Sequence, residues 1–364
     1  MKQWAETRAV HAAITALVAA GGRGALATVI SVRGSAYRHE GAKLLVRDDG
    51  STVGNVSGGC LERDVIEVAR RVMASQQVAR RTWCGGPDEI AAWDLGVGCE
   101  GAVELLIEPI HGDRAAEYRV LEEEIACCVV TCVDPYATAR LVLRADALDG
   151  STGDAARDAR LAAVAREALG RGGGALVRED GRLYFVESLV PPPRLLLLSA
   201  ADDGREVARL AATVGFRVVV VDKRPGLLRP ERFPSGVRLV EARAEALAPL
   251  AADLGADDMA VVMSHDFADD AAAVAALLPS GVSYIGVLGP RARTERLLGA
   301  IDAVAHRDDP RLHAPVGLDI GTDGAEQVAL AIVAELLAVR SGRAPRSLRE
   351  RATPIHRDAD PVLR

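Results

Sequence analysis

The second half of the chain alternates short, wholly apolar runs with segments of helical periodicity, and this alternation is its most restrictive feature. Residues 195–198 are four consecutive leucines, which is typical of a parallel strand that is covered on both faces. Similar runs occupy residues 216–221, 260–263 and 283–287, with helical patterns between them. Strands that alternate with helices favour right-handed crossovers, so we predict an open, doubly wound parallel sheet of Rossmann-like type.

Three consecutive prolines, residues 191–193, separate this region from a first half that is punctuated by glycines. Prolines in series favour an extended polyproline geometry and cannot join a sheet ladder, so they are typical of a short, stiff linker. We therefore predict an N-terminal domain over residues 1–190 and a Rossmann-like domain over residues 191–364. The length of 364 residues is consistent with two domains.

The first half is predicted to be a mixed α+β domain with several hairpins. An amphipathic helix is expected near residues 4–20, and a hairpin near residues 43–47 and 52–56, because the turn between its strands contains Asp-Asp-Gly. A further helix is expected over residues 61–74. The overall class is therefore α/β, with an N-terminal mixed α+β domain followed by the doubly wound domain.

Charge and cysteine content exclude several classes of protein. Lys and Arg total 44 against 51 for Asp and Glu, a formal net charge of −7, which argues against binding to nucleic acid or to an anionic membrane. No apolar stretch is long enough to cross a bilayer, and no secretory leader is evident. The six cysteines are too sparse for a disulfide framework, so a cytoplasmic location is expected.

In an open parallel sheet, ligands bind beyond the carboxyl ends of the strands. Ser199 and Ala201 stand there where a dinucleotide fingerprint has glycines, and only Gly204 is retained. Asp202 and Asp203 add negative charge where a phosphate would lie. The loss of the glycines and the added carboxylates favour an altered Rossmann pocket, and a working nucleotide site is the alternative. The remaining candidate binding residues at these strand ends are Asp222, Arg224, His265, Asp266 and Arg291.

The first half has a stronger candidate site, at a turn between a strand and a helix start. Paired glycines, a hydroxyl and free amides at a helix N-terminus form a cradle for an anion, and a thiol there is suited to a soft metal or to sulfur. A second glycine turn with neighbouring cations, and a later loop that contains glycine and cysteine, are expected to contribute. The candidates are Ser57, Gly58, Gly59 and Cys60, then Gly34, Ser35, Arg38 and Lys43, then Cys99.

These motifs resemble the XdhC/CoxI family of xanthine dehydrogenase accessory proteins. The resemblance covers nearly the whole chain, with both domains in family order. The segments that carry it in the first half are residues 34–46, 57–62 and 94–101, and those in the second half are residues 221–225, 262–266, 284–293, 315–321 and 334–340.

The resemblance implies a protein that binds molybdenum cofactor (molybdopterin) as cargo. It implies two partners, a cysteine desulfurase-type sulfurase and the apoenzyme of a molybdenum hydroxylase, and the apolar helices are consistent with a homodimer. We expect the cofactor to lie between the two domains. The chain departs from the family pattern at Ser199 and Ala201, where glycines are usual, at Tyr37, where proline is common, and at Glu100, where glycine is frequent.

Two other functions stay open on the sequence alone. The first is an NAD(P)-dependent oxidoreductase that uses His265 as acid or base, for which the glycine turn would need to be intact. The second is a docking protein that binds the apoenzyme without a small ligand. The sequence assigns no catalytic residue and no metal-binding residue.

Overall fold

The structure is a computed structural model, and it describes residues 4–34, 37–84, 102–110, 125–134, 139–145, 147–171, 173–243 and 246–351. The chain forms two compact units. One contains the chain up to Pro191 together with a segment that begins at Leu348, and the other contains Pro192–Ser347. Within the described ranges, no helix is both long enough and apolar enough to span a membrane.

The N-terminal unit is built on two antiparallel sheets of five strands each. The first sheet has the order β3-β2-β1-β5-β4. Its strands are β1 (Gly24–Arg33), β2 (Lys43–Arg47), β3 (Thr52–Gly54), β4 (Ala79–Cys84) and β5 (Ala102–Pro109). The predicted hairpin of β2 and β3 is present, with the second strand ending at Gly54 rather than at residue 56.

Alternation along β1 sends successive side chains to opposite faces of the first sheet. Ala25 and Ala27 face helix α2 (Glu62–Ser75), whose valines pack on them. Leu26, on the other face, packs on helix α1 (Trp4–Ala19). Both faces of this sheet are therefore covered.

The second sheet has the order β8-β7-β6-β10-β9. Its strands are β6 (Cys127–Cys132), β7 (Arg140–Arg144), β8 (Ala147–Gly150), β9 (Gly173–Glu179) and β10 (Arg182–Leu189). Helix α3 (Ala155–Arg171) covers one face, and the other face meets the first sheet where Leu183 and Phe185 pack on Ile30 and Leu106. The three cysteines of β6 are buried, as expected of core residues, and none forms a disulfide.

The C-terminal unit is a six-stranded sheet of order β13-β12-β11-β14-β15-β16, and every pairing in it is parallel. The order reverses between β11 and β14, as in dinucleotide-binding folds, which confirms the predicted fold class. The strands are β11 (Arg194–Leu198), β12 (Arg217–Asp222), β13 (Arg238–Glu241), β14 (Met259–Val262), β15 (Tyr284–Val287) and β16 (Leu312–His313). The helices are α4 (Asp202–Thr213), α5 (Ala248–Ala252), α6 (Phe267–Leu277), α7 (Arg291–Ala300) and α8 (Ala325–Ser341).

The four leucines that begin this unit supply both of its cores. Leu195 and Leu197 pack with residues of α4 and α8, whereas Leu196 and Leu198 pack with residues of α5, α6 and α7. A strand with apolar side chains on both faces is therefore enclosed between two helical layers.

The last helix begins one residue later than its sequence pattern predicts. The spacing of Asp323 and Glu326 predicts a capping box with Asp323 as the N-cap. This prediction is wrong, because α8 begins at Ala325 behind Gly324, which has a φ of 86° and makes no side-chain cap. The Asp323 N–H donates instead to the side-chain oxygen of Gln327. The glycine's left-handed backbone shifts the helix start beyond the position that the motif implied.

Gly204 is required where α4 crosses β11, because a Cβ there would lie 2.4 Å from the Ser199 carbonyl oxygen. We expect Gly204→Ala to lower the free energy of unfolding by about 2 kcal/mol through overpacking. Gly299→Ala is the matched control, since Gly299 lies in α7 with nothing within 4 Å of a Cβ. The control should gain up to about 0.5 kcal/mol from helix propensity. Urea unfolding measures both, and equal midpoints for the two variants would contradict the close approach.

Candidate functional site

The carboxyl ends of β11 and β14 border the crevice at which the strand order reverses. The turn after β11 closes without the usual glycines. Ser199 and Ala200 are buried, and the Ala200 N–H donates to Asp222 Oδ2 over 2.8 Å. The Ala201 N–H donates to Ser199 Oγ over 3.2 Å. Side-chain oxygens therefore satisfy the backbone of a turn that would otherwise approach a diphosphate.

Asp222 stands where dinucleotide-binding folds have a ribose-binding acid, but both of its carboxylate oxygens are bound within the protein. Its Oδ1 accepts from the N–H and Nε of Arg224, and its Oδ2 accepts from Nη2 of the same residue as well as from Ala200. Burial opposes ionisation of this carboxyl group, but the hydrogen bonds outweigh it and hold its pKa below the usual range. Asp222 and Arg224 thus form a structural pair at the end of β12.

Asp266 and the neighbouring Lys223 belong to a second set of side chains that are bound to one another. Asp266 is the N-cap of α6 and accepts from the N–H groups of Ala268 and Asp269. Lys223 Nζ lies 3.1 Å from Asp266 Oδ2 and 2.6 Å from Asp269 Oδ2. These hydrogen bonds raise the pKa of Lys223, so the ammonium group is held in its charged form.

His265 spans the crevice. Its Nε2 lies 2.6 Å from Asp203 Oδ2, and this contact joins the loop after β14 to the first turn of α4. The backbone of His265 has a φ of 64°, a left-handed conformation that is uncommon outside glycine. Arg291, the remaining candidate of this unit, is exposed at the first position of α7.

A cavity of about 230 Å³ lies along this edge of the sheet. Its lining includes the carboxylates of Asp222, Asp266 and Asp269. The cations in the same lining are Lys223 and Arg224, and each of them is already paired with a carboxylate. Such a pocket accepts a small polar ligand more readily than a polyanion.

The structure brings the two glycine turns of the N-terminal unit together. A Cβ on Gly58 would lie 3.6 Å from the ring of Tyr37, so the first turn packs on the second. Glu6 of α1 links them, because its Oε1 accepts from Arg38 Nη2 over 2.5 Å and from the Asn55 N–H over 3.3 Å. Gly58 and Gly59 are exposed beside this contact, and Gly34, the residue after β1, has a φ of 74°.

The Ser57 hydroxyl stabilises its own turn. It accepts from the N–H groups of Gly59 and Leu61 and donates to Glu62, whose other oxygen accepts the Ser57 N–H. The predicted cradle therefore uses its serine to order the loop before α2. Cys60 is half-buried at this point and is a free thiol.

Lys43 occupies a different environment from the expected one. Its Nζ lies 2.8 Å from Glu187 Oε2, and both side chains are buried between the two sheets. A second buried pair joins Arg140 of the second sheet to Glu108 of the first sheet at 3.1 Å, so each sheet contributes one cation and one carboxylate. The four charged side chains and His11 line one small cavity between the sheets. Lys43 therefore neutralises a buried carboxylate in the core of the unit.

Two candidates cannot be placed, since Ser35 and Cys99 lie outside the described residues. Among the residues that the structure describes, no group of three or more His, Cys, Asp or Glu side chains is arranged to hold a metal ion.

The sequence reasoning missed a buried polar group on the last strands. The Tyr284 hydroxyl donates to Glu335, which also accepts the Gly317 N–H over 2.9 Å and lies 3.5 Å from His313 Nδ1. Burial opposes ionisation of Glu335, but these hydrogen bonds hold its pKa below the usual range. Charged residues within apolar patterns, such as Glu335 in α8 and Glu187 in β10, were the available signal.

Comparison with known proteins places both units in one family. A family model described as the XdhC Rossmann domain matches residues 195–336, and one described as the XdhC and CoxI family matches residues 17–83. Together the two matches cover more than half of the chain, in the order in which the structure has its two units. The chain therefore belongs to the XdhC and CoxI family.

Individual relatives are similar over most of their length. A protein of Bacillus subtilis (strain 168) that is named as a probable xanthine dehydrogenase subunit is 29% identical over 335 residues, which are 91% of this chain and 97% of that protein. The molybdenum cofactor insertion chaperone PaoD of Escherichia coli (strain K12) is 24% identical over 323 residues, 88% of this chain and 84% of that protein. A crystal structure described as a xanthine dehydrogenase from Bacillus halodurans superposes with a TM-score of 0.76 at 27% identity, over 92% of this chain and 97% of that chain.

The engagement of Asp222 predicts a pH-dependent stability. Asp222→Asn should cost about 2 kcal/mol at neutral pH, because charge-assisted hydrogen bonds are lost. The pKa of Asp222 in the folded protein is below its unfolded value of 3.8. The carboxylate therefore stabilises the fold fully at pH values above 3.8, and this stabilisation is lost as the pH falls through the folded pKa. The difference between the variant and the parent should therefore narrow under acid. Urea unfolding at several pH values measures it, with the exposed Asp253→Asn as control; a difference that is independent of pH would contradict the assignment.

Because Lys43 and Glu187 form a buried pair, we expect the stability costs of substituting them to be non-additive. Lys43→Met should cost about 3 kcal/mol, because it leaves a carboxylate buried without its ammonium partner. The double variant Lys43→Met with Glu187→Leu should recover most of that loss. Thermal and urea unfolding measure the coupling. Costs that simply add in the double variant would show that the two side chains act independently.

Proposed function

We propose that this chain is an accessory protein that binds molybdenum cofactor and supports its sulfuration and its insertion into a xanthine dehydrogenase-type molybdenum hydroxylase. The observation that carries the proposal is the meeting of two separate glycine turns, at Tyr37–Arg38 and Ser57–Cys60, on one surface of the N-terminal unit. Membership of the XdhC and CoxI family and the similarity to a molybdenum cofactor insertion chaperone support it.

The chemistry of these turns suits such a cargo. Gly58 and Gly59 leave room beside the exposed ring of Tyr37, against which a flat pterin can stack. Arg38 supplies a cation for the phosphate, in exchange for its present contact with Glu6. The Cys60 thiol is a soft ligand suited to molybdenum or to its sulfur. Arg291 is the exposed cation that we propose for the C-terminal unit.

Partners follow from the same proposal. We expect the apoenzyme of a molybdenum hydroxylase to receive the cofactor, in line with the relative whose name links it to xanthine dehydrogenase. A cysteine desulfurase-type sulfurase is proposed as the source of the sulfide. The exposed Ile320 and Leu330 are candidate contacts for a homodimer. None of the four cysteines that the structure describes is in a disulfide, in line with the proposed reducing, cytoplasmic compartment.

Arg38→Ala and Cys60→Ala test the N-terminal site. Each should lower the amount of pterin that the protein retains by about tenfold, since one strong contact to the cargo is worth about 1.4 kcal/mol. The measurement is the fluorescence of oxidised pterin released on denaturation, after the folded protein has been loaded and desalted.

Arg144→Ala is the matched control, because Arg144 also pairs with a carboxylate but lies on the second sheet. It should retain the parent's pterin content. Unchanged retention in both Arg38→Ala and Cys60→Ala would exclude these turns as the binding site, and absence of pterin from the parent protein would favour a docking function without a small ligand.

A further inference from the structure

The crevice between β11 and β14 is the place where folds of this topology bind the diphosphate of a dinucleotide, over the first turn of the helix that follows the first strand. In this chain that helix is α4, with twelve residues, and its N-cap Ala201 has no side-chain cap. The first turn carries Asp202 and Asp203, which is where the structure departs most from a diphosphate site.

Asp203 holds its carboxylate against the start of the helix. Its Oδ1 accepts the N–H of Gly204 over 2.8 Å, and its side chain is only 20% exposed. An amide that a bound phosphate would use is therefore already satisfied by a carboxylate of the chain itself. Negative charge at a helix N-terminus is favourable, so the dipole stabilises this arrangement as it would a bound anion.

His265 fixes the position of that carboxylate from the opposite side of the crevice. Its Nε2 contacts Asp203 Oδ2 at 2.6 Å, and its backbone has a φ of 64°. Because β11 and β14 are the two strands that border the reversal of strand order, this single contact bridges the crevice.

The two cations that line the cavity beside this turn are already paired with carboxylates of the chain. Lys223 is paired with Asp266 and Asp269, and Arg224 is paired with Asp222. A diphosphate that entered would meet these carboxylates and would have to break existing ion pairs to obtain a cation.

We propose that Asp203, positioned by His265, is a specificity determinant that excludes diphosphate ligands, dinucleotides among them, from the crevice of the C-terminal unit. The carboxylate substitutes for the ligand's anion and repels it. This inference concerns the C-terminal unit alone and does not rest on the function proposed above, so either one can fail without the other.

Asp203→Asn and Asp202→Asn form a matched pair for the test, since each removes one negative charge from the same turn. Asp202 is 77% exposed and contacts Arg232, away from His265. The full chain is titrated with inorganic pyrophosphate and with ADP by calorimetry, and circular dichroism verifies folding. Asp203→Asn should bind pyrophosphate at least about tenfold more tightly than the parent, because a like charge beside the ligand is removed. Asp202→Asn should behave as the parent does.

Two further variants separate charge from shape and position. The glycine variant Ser199→Gly with Ala201→Gly should still reject ADP, and should accept it once Asp203→Asn is added. His265→Asn should give an intermediate gain in pyrophosphate affinity, because Asp203 loses its partner. Asparagine is chosen because it tolerates the left-handed backbone at this position.

Three results would overturn the proposal. The first is that folded Asp203→Asn binds pyrophosphate no more tightly than the parent, and the second is that Asp202→Asn gains as much affinity as Asp203→Asn. The third is that the glycine variant binds ADP while Asp203 is present. Parental affinity in His265→Asn would remove the positioning role of His265.

Discussion

The Asp222 carboxylate stabilises the carboxyl ends of the two neighbouring strands β11 and β12, in the parallel sheet on which the C-terminal unit is built. It joins the end of β12 to the turn after β11 through the Ala200 N–H, and it keeps Arg224 folded back on the sheet. A buried carboxylate is costly unless its oxygens are satisfied, and here both are. An acid at this position binds the ribose in dinucleotide-binding proteins, whereas here both of its oxygens are used to close the turn.

Buried charge governs the N-terminal unit in a similar way. Two sheets of opposite charge pattern meet, and each supplies one cation and one carboxylate to its neighbour, in the pairs Lys43 with Glu187 and Arg140 with Glu108. Pairing of this kind fixes which strands face each other, because a shifted register would leave charges buried without partners. The glycine turns are attached to the sheet that these pairs orient, so the geometry of the proposed cofactor site rests on them.

The two units thus differ in what they offer a ligand. In the N-terminal unit, exposed glycines, the Tyr37 ring, Arg38 and Cys60 lie on a surface formed by two loops. In the C-terminal unit, the two cations that line the cavity, Lys223 and Arg224, are paired internally and a carboxylate lies at the helix start. The C-terminal unit has the Rossmann strand order without the glycines of a dinucleotide fingerprint, so the fold alone does not determine the ligand chemistry at this edge.

The sequence by itself determined the doubly wound sheet, because four leucines with alternating faces require cover on both sides. It also located the strands predicted at residues 195–198, 216–221, 260–263 and 283–287 to within one residue at each end. It also indicated the two glycine turns and the loss of the fingerprint glycines. Only the tertiary structure decided which charges meet: that Lys43 is committed to Glu187, 144 residues away, and that His265 reaches Asp203 across the crevice, 62 residues away. Periodicity is a local property of the chain, whereas the partner of a charged side chain depends on which strands become neighbours, and no spacing in the sequence encodes that.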